Sequence, residues 1–206
     1  MNRDQPRWHT IGCVFLPFAA GYFLSYVYRT INGLISRDLA TDLSLSPSEL
    51  GLLTSVLFLS FAAVQLPLGL CIDRYGPRRV QSVLLPVAAL GALAFAASRD
   101  VVGLIVGRSL IGLGTAAALI AGLKALAMTF PPAKLPLLNG AFVALGALGA
   151  ISATAPAGWL LELVGWRGLF VLLAVMTVAS ALLICFAVPS DPPGHPAPHS
   201  ARLRSF

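Results

Sequence analysis

Gly69-Leu70-Cys71-Ile72-Asp73-Arg74-Tyr75-Gly76-Pro77-Arg78-Arg79 is the stretch on which the reading of this chain turns. Three arginines, one aspartate, two glycines and a proline crowd together between two long apolar runs that hold no charge. A basic knot that closes one apolar run and opens the next reads as a turn at a membrane surface. Cytoplasmic loops of membrane proteins collect Arg and Lys in this way.

Composition identifies the solvent around those runs. Hydrophobic residues make up 57% of the 206 positions and charged residues 11%, whereas soluble domains carry about 25% charged residues. Mean hydropathy is +0.85, and a chain this short cannot hide that much apolar surface from water, so the surface faces lipid. A net charge of +6 would suggest nucleic acid in a soluble protein. Here it follows from arginines gathered on one membrane face, and no nucleic-acid signal is present.

Six segments supply the roughly 20 apolar residues that a spanning helix needs: Ile11–Ile35, Leu50–Ile72, Val80–Ala97, Val101–Phe130, Leu137–Leu163 and Leu169–Val188. The expected fold is all-α, with six transmembrane helices over 11–188, a cytoplasmic N-terminus at 1–10 and a disordered cytoplasmic tail at 189–206. Ser46-Pro47-Ser48-Glu49 has the capping serine, first-turn proline and glutamate that open a helix. Pro131-Pro132 ends the fourth span. With the N-terminus inside, the cytoplasmic face holds Arg3, Arg7, Arg74, Arg78, Arg79, Lys134, Arg202 and Arg204, and the opposite face Arg37, Arg99 and Arg167. That asymmetry places both termini in the cytoplasm.

The first apolar run is too long for a signal-peptide core and no A-x-A site follows it, so it reads as a membrane helix. Cys13, Cys71 and Cys185 show no metal-ligand spacing and read as buried free thiols. His195 and His199 stand among prolines in the tail and read as tail, not as a metal site. Neither metal nor cofactor is expected. Nor is an enzyme, because no nucleophile–base set or phosphate-cradling loop is visible.

Gly69, Asp73, Arg74, Gly76, Arg78 and Arg79 match, position by position, the loop signature between the second and third helices of the major facilitator superfamily. Arg108-Ser109-Leu110-Ile111-Gly112-Leu113-Gly114 resembles that family's fourth-helix motif, and Gly165-Trp166-Arg167-Gly168-Leu169-Phe170 its joint between helices five and six. The resemblance covers about 11–188 and implies one six-helix half of a twelve-helix secondary transporter. A second half or a second copy of the chain is then the implied partner, with the bilayer around both. It also implies residence in a plasma membrane, the inner membrane of a bacterium. The loop would gate the cytoplasmic side against the other half, with Asp73 pairing with a nearby arginine or capping a neighbouring helix. The alternative is that its arginines only set topology and touch lipid phosphates.

Three cations fall inside spans: Arg29, Arg108 and Lys124; no carboxylate lies deep within one. A cavity with positive charge and no countercharge prefers an anion. Tyr26-Val27-Tyr28-Arg29 resembles the first helix of organophosphate:phosphate antiporters and related organic-anion transporters, which implies that Arg29 binds the anionic group. The competing reading has Arg29 snorkelling from the last turns of its helix. Tyr22, Tyr26, Tyr28 and Gln65 either add hydrogen bonds to the solute or, for the tyrosines, anchor the interface. Lys124 either lines the cytoplasmic vestibule or snorkels. Arg108, with Gly112 and Gly114, is structural or, in a proton-coupled exporter of drugs or metabolites, coupling. Small residues such as Gly112, Gly114, Gly146 and Gly149 permit close helix contact. The expected function is transport of a small anionic solute by alternating access; the alternatives are such an exporter or a truncated half that is inactive alone.

Overall fold

The computed structural model describes residues 11–189, and within them the chain forms eight α-helices and no strand. A π turn, Ile11–Phe15, leads into α1, Leu16–Leu43. Then come α2 (Pro47–Ala63), α3 (Gln65–Tyr75), α4 (Pro77–Ala97), α5 (Val101–Thr115), α6 (Ala118–Thr129), α7 (Leu135–Ser152) and α8 (Ala155–Ala187). The segments 1–10 and 190–206, with the two tail histidines, lie outside the described residues.

The helices group into the six spans, with breaks where the backbone demands them. Pro67 has no N–H to give the carbonyl of Ala63, and α2 and α3 meet beside it at a 45° bend. Pro156 withholds the same bond from Ser152, and α7 ends there. The fourth span breaks at Ala116–Ala117, where the N–H of Ala116 bonds back to Leu113 instead of Gly112. Four of the described helical stretches are long and apolar enough to cross a bilayer, five if the bent pair is one span. Gly165, at φ +69°, turns the chain inside α8 and separates the fifth span from the sixth. Ser44, at φ 54°, ends α1. The first helix therefore runs eight residues past the expected end at Ile35.

The Ser46 start forms as its sequence suggests: Ser46 Oγ accepts from the N–H of Glu49, and Glu49 Oε2 accepts from the N–H of Ser46 at 2.7 Å. Asp100 caps α5 by accepting from the N–H of Gly103 at 2.9 Å. The three cysteines are half-buried, not buried, and form no disulfide among themselves.

Packing is tightest where α4 meets α5 and α8, where α2 lies on α5, and where α1 lies on α7 and α8. A Cβ on Gly112 would run into the Leu57 carbonyl of α2, and one on Gly114 would lie 2.6 Å from the Leu84 carbonyl of α4. These two glycines let α5 touch both neighbours at backbone distance.

At the centre of that contact lies Arg108, with no exposed surface. Its Nη1 donates to the Tyr28 carbonyl of α1 at 3.1 Å and its Nη2 to Asn32 Oδ1 at 2.5 Å. Its Cζ stands 4.7 Å from the ring centre of Phe95 on α4 and 5.4 Å from that of Phe170 on α8. Asn32 in turn donates to Thr54 Oγ1 at 2.5 Å on α2, and Tyr28 shares a hydrogen bond of 3.0 Å with Thr177 on α8. The guanidinium thus joins four helices, and Asn32 adds α2 as a fifth.

The far end of the bundle has its own clasp. Trp166 Nε1 donates to Asp42 Oδ2 at 2.8 Å, and Arg167 Nη1 donates to the same oxygen at 3.2 Å. Arg167 Nη2 reaches the Ser98 carbonyl at 3.3 Å, tying in the end of α4.

Losing a charged hydrogen bond costs about 1.5–3 kcal/mol. Arg108→Gln should therefore lower the thermal midpoint in detergent, and a double-mutant cycle with Asn32→Leu should show coupling; strict additivity would mean that the bond is not made. Gly112→Val should destabilise by about 1–3 kcal/mol through overpacking. Gly140→Ala, whose Cβ meets nothing within 4 Å, should leave the melting temperature unchanged.

Candidate functional site

The first helix presents two chemically distinct faces. One, through Tyr28 and Asn32, is committed to the Arg108 network. The other carries Tyr22, Tyr26 and Arg29, spaced at one turn so that they form a stripe. Tyr22 stacks on Phe142 of α7, with ring centres 4.8 Å apart and planes 11° from parallel. It also packs edge-on to Tyr26 at 5.1 Å and donates its hydroxyl proton to the Tyr26 oxygen at 3.4 Å. The Tyr26 proton is left for another acceptor.

Arg29 closes the stripe. Its Cζ lies 5.1 Å from the Tyr26 ring centre and 4.4 Å from that of Phe61 on α2. The side chain is half-buried, and its Nε is fully enclosed without a hydrogen-bond partner. Among the described residues no carboxylate pairs with it. Arg29 stands 13 residues after Leu16 and 14 before Leu43, about 20 Å of helix on either side. The snorkelling reading placed it in the last turns of its helix; α1 instead continues for nearly four turns beyond it.

Lys124 belongs elsewhere. Its Nζ lies 2.5 Å from Asp73 Oδ1 and donates to the Ile72 carbonyl at 3.2 Å. The partner of Asp73 is thus a lysine of α6; the sequence had suggested an arginine or a helix end. In the same loop Arg78 donates to the Cys185 carbonyl of α8, while Arg74 lies over Tyr75 and Arg79 is exposed. Gly76, at φ +83°, makes the turn into Pro77, and Gly69 has open space where a Cβ would stand.

Of the residues singled out from the sequence, the structure brings Tyr22, Tyr26 and Arg29 together. It separates Tyr28, which turns to Thr177, and Lys124, which turns to Asp73. Gln65 is half-buried at the start of α3, four residues past Phe61 and across the bend. Sequence reasoning missed Phe61 and Phe142, which are indistinguishable in sequence from lipid-facing phenylalanines. It also missed Asn32, although an amide inside a span is a readable signal. A shallow cleft of about 440 Å³ opens between α1 and the α7–α8 junction, lined by Thr30, Gly33, Leu34, Ala153, Thr154, Ala155 and Gly158. It offers no charge.

Comparison with known proteins identifies the family and agrees with the fold. A family model described as Major Facilitator Superfamily matches residues 18–205. The probable sulfoacetate transporter SauU of Cupriavidus necator is 25% identical over 174 residues, 84% of this chain and 40% of that protein. The tetracenomycin C resistance and export protein of Streptomyces glaucescens is 29% identical over 200 residues, 96% of this chain and 36% of that protein. A bacterial homologue of the human lysosomal transporter Spinster, solved inward-facing and unoccupied, superposes with a TM-score of 0.81 at 18% identity, over 95% of this chain and 46% of its own. This chain spans less than half the length of each. With one family model over nine-tenths of its residues and the three family motifs on the helices that should hold them, the chain belongs to the Major Facilitator Superfamily.

Proposed function

We propose that this chain is the first six-helix unit of a secondary transporter that moves a small organic anion by alternating access, with Arg29 as the anion's ligand. The observation that carries the reading is the state of Arg29. It is a guanidinium at mid-helix, partly enclosed, with aromatic neighbours and no countercharge. Charge placed inside a span costs several kcal/mol and is retained where it does work. Tyr26 adds a hydroxyl donor beside it. The likeness to a sulfoacetate transporter supports an anionic solute.

In this reading the Asp73 end of the bundle faces the cytoplasm of a bacterial cell, as do both termini. The Asp73–Lys124 pair and the Arg78 bond to α8 hold the cytoplasmic ends of α3, α4, α6 and α8 together. Breaking and remaking those contacts accompanies the change of access. A second six-helix unit, from the rest of a longer protein or from another copy, completes the cavity. The likeness to a tetracenomycin exporter favours a second reading, drug export with Arg108 in proton coupling. Among the described residues Arg108 has no carboxylate partner, and it is sealed by Tyr28 and Asn32, which favours a structural role for it.

In proteoliposomes containing the complete transporter, Arg29→Lys should abolish uptake of the anion without lowering expression, because the ammonium lacks the planar fork; undiminished uptake would sink the assignment. For the gate, Asp73→Asn should raise the reactivity of a cysteine placed at Leu126 toward a water-soluble thiol reagent. The exchanged pair Asp73→Lys with Lys124→Asp should restore protection. If the exchange restores nothing, the pair is not the fastener.

A further inference from the structure

We infer that the Arg29 site takes a single-charge oxyanion head, a carboxylate or sulfonate, and rejects a doubly charged phosphomonoester. The inference rests on the anion-transport reading above and narrows it. Three cations lie within the spans of this unit, but they are not equally available. Arg108 has no exposed surface; its Nη1 and Nη2 each donate to α1, and its Nε, though unpartnered, is sealed inside the bundle. Lys124 is neutralised by Asp73 at 2.5 Å. Arg29 is only half-buried, and no carbonyl, hydroxyl or carboxylate among the described residues accepts from its guanidinium.

Even that one charge is partly offset. The ring faces of Tyr26 and Phe61 bear partial negative charge and lie within about 5 Å of its Cζ. Tyr26 contributes a neutral O–H donor, since its oxygen already accepts from Tyr22. One damped cation and one neutral donor match a head of charge −1 with two or three oxygens, which the guanidinium can grip in bidentate fashion. A head of charge −2 would bring in a second negative charge opposite which the described residues of this unit place no further free cation, and burying an unpaired charge is costly.

The charge of one ligand can be changed without changing the protein's site. Ethyl phosphate carries about −1 at pH 5 and close to −2 at pH 8, because its second ionisation falls near pH 6. Ethanesulfonate stays at −1 throughout. Binding of each to the full chain in detergent would be measured by thermal stabilisation and by calorimetry at both pH values. Ethanesulfonate should bind equally at pH 5 and pH 8. Ethyl phosphate should bind comparably at pH 5 and about tenfold or more weakly at pH 8, and Arg29→Gln should abolish all of it. Ethyl phosphate binding as tightly at pH 8 as at pH 5, or more tightly, would overturn the single-charge inference and leave the anion site standing. If neither anion binds, or if Arg29→Gln changes nothing, both the site and this inference fall.

Discussion

The buried guanidinium of Arg108 is the constraint on which the rest of this bundle depends. In lipid, helices gain nothing from hiding apolar surface from one another, so association rests on close packing and on polar bonds. Arg108 supplies the bonds: a carbonyl and an amide on α1, with the Phe95 and Phe170 rings of α4 and α8 beside it. Gly112 and Gly114, one and two turns along, supply the proximity. Because Tyr28 and Asn32 must face this network, the rotation of α1 about its axis is fixed. The stripe of Tyr22, Tyr26 and Arg29 then has one direction left to face, toward α2 and α7.

The three intramembrane cations occupy three chemically different settings, and the contrast explains the division of labour. Arg108 is sealed among a backbone carbonyl, an amide and two aromatic faces. Lys124 meets a carboxylate that is largely exposed, so the pair contributes little to stability and can part at small cost. Arg29 lies against aromatic faces but has neither a hydrogen-bond acceptor nor a carboxylate among the described residues. A bundle held firmly at one arginine and loosely at one lysine leaves its third cation without a charged partner among the described residues.

Much of this was legible in the sequence. The spans, the capped start of the second helix and the signature loop are local facts, set by apolar run length, by Ser46 with Glu49, and by Gly76 with Pro77. The breaks within spans follow as directly from Pro67 and Pro156 as the end of the fourth span does from Pro131. What sequence could not settle was rotation. Tyr26 and Tyr28 are two residues apart and looked like joint ligands, yet two positions on a helix point to opposite sides, and only the Arg108 contacts decide which tyrosine is committed. The pairing of Asp73 with Lys124 spans 51 positions and depends on where α6 passes α3, which no local pattern encodes. The length of α1 was misjudged because Arg37, Asp38 and Asp42 resemble a loop; they sit on helix that continues to the Asp42 clasp.

That clasp lies beside Gly165, where a single residue turns the chain from the fifth span into the sixth. There is no slack between the two spans: the reversal is made by one pair of torsions, and its position is pinned to the end of α1 through Trp166 and Arg167. Mechanically this is a fulcrum with a long arm. From Trp166 to Ala187 the sixth span runs 22 residues, and a tilt of about 10° at the glycine would displace its far end by about 6 Å over about 33 Å of helix. A small rotation at the glycine is thus magnified into a large displacement at the far end of the helix.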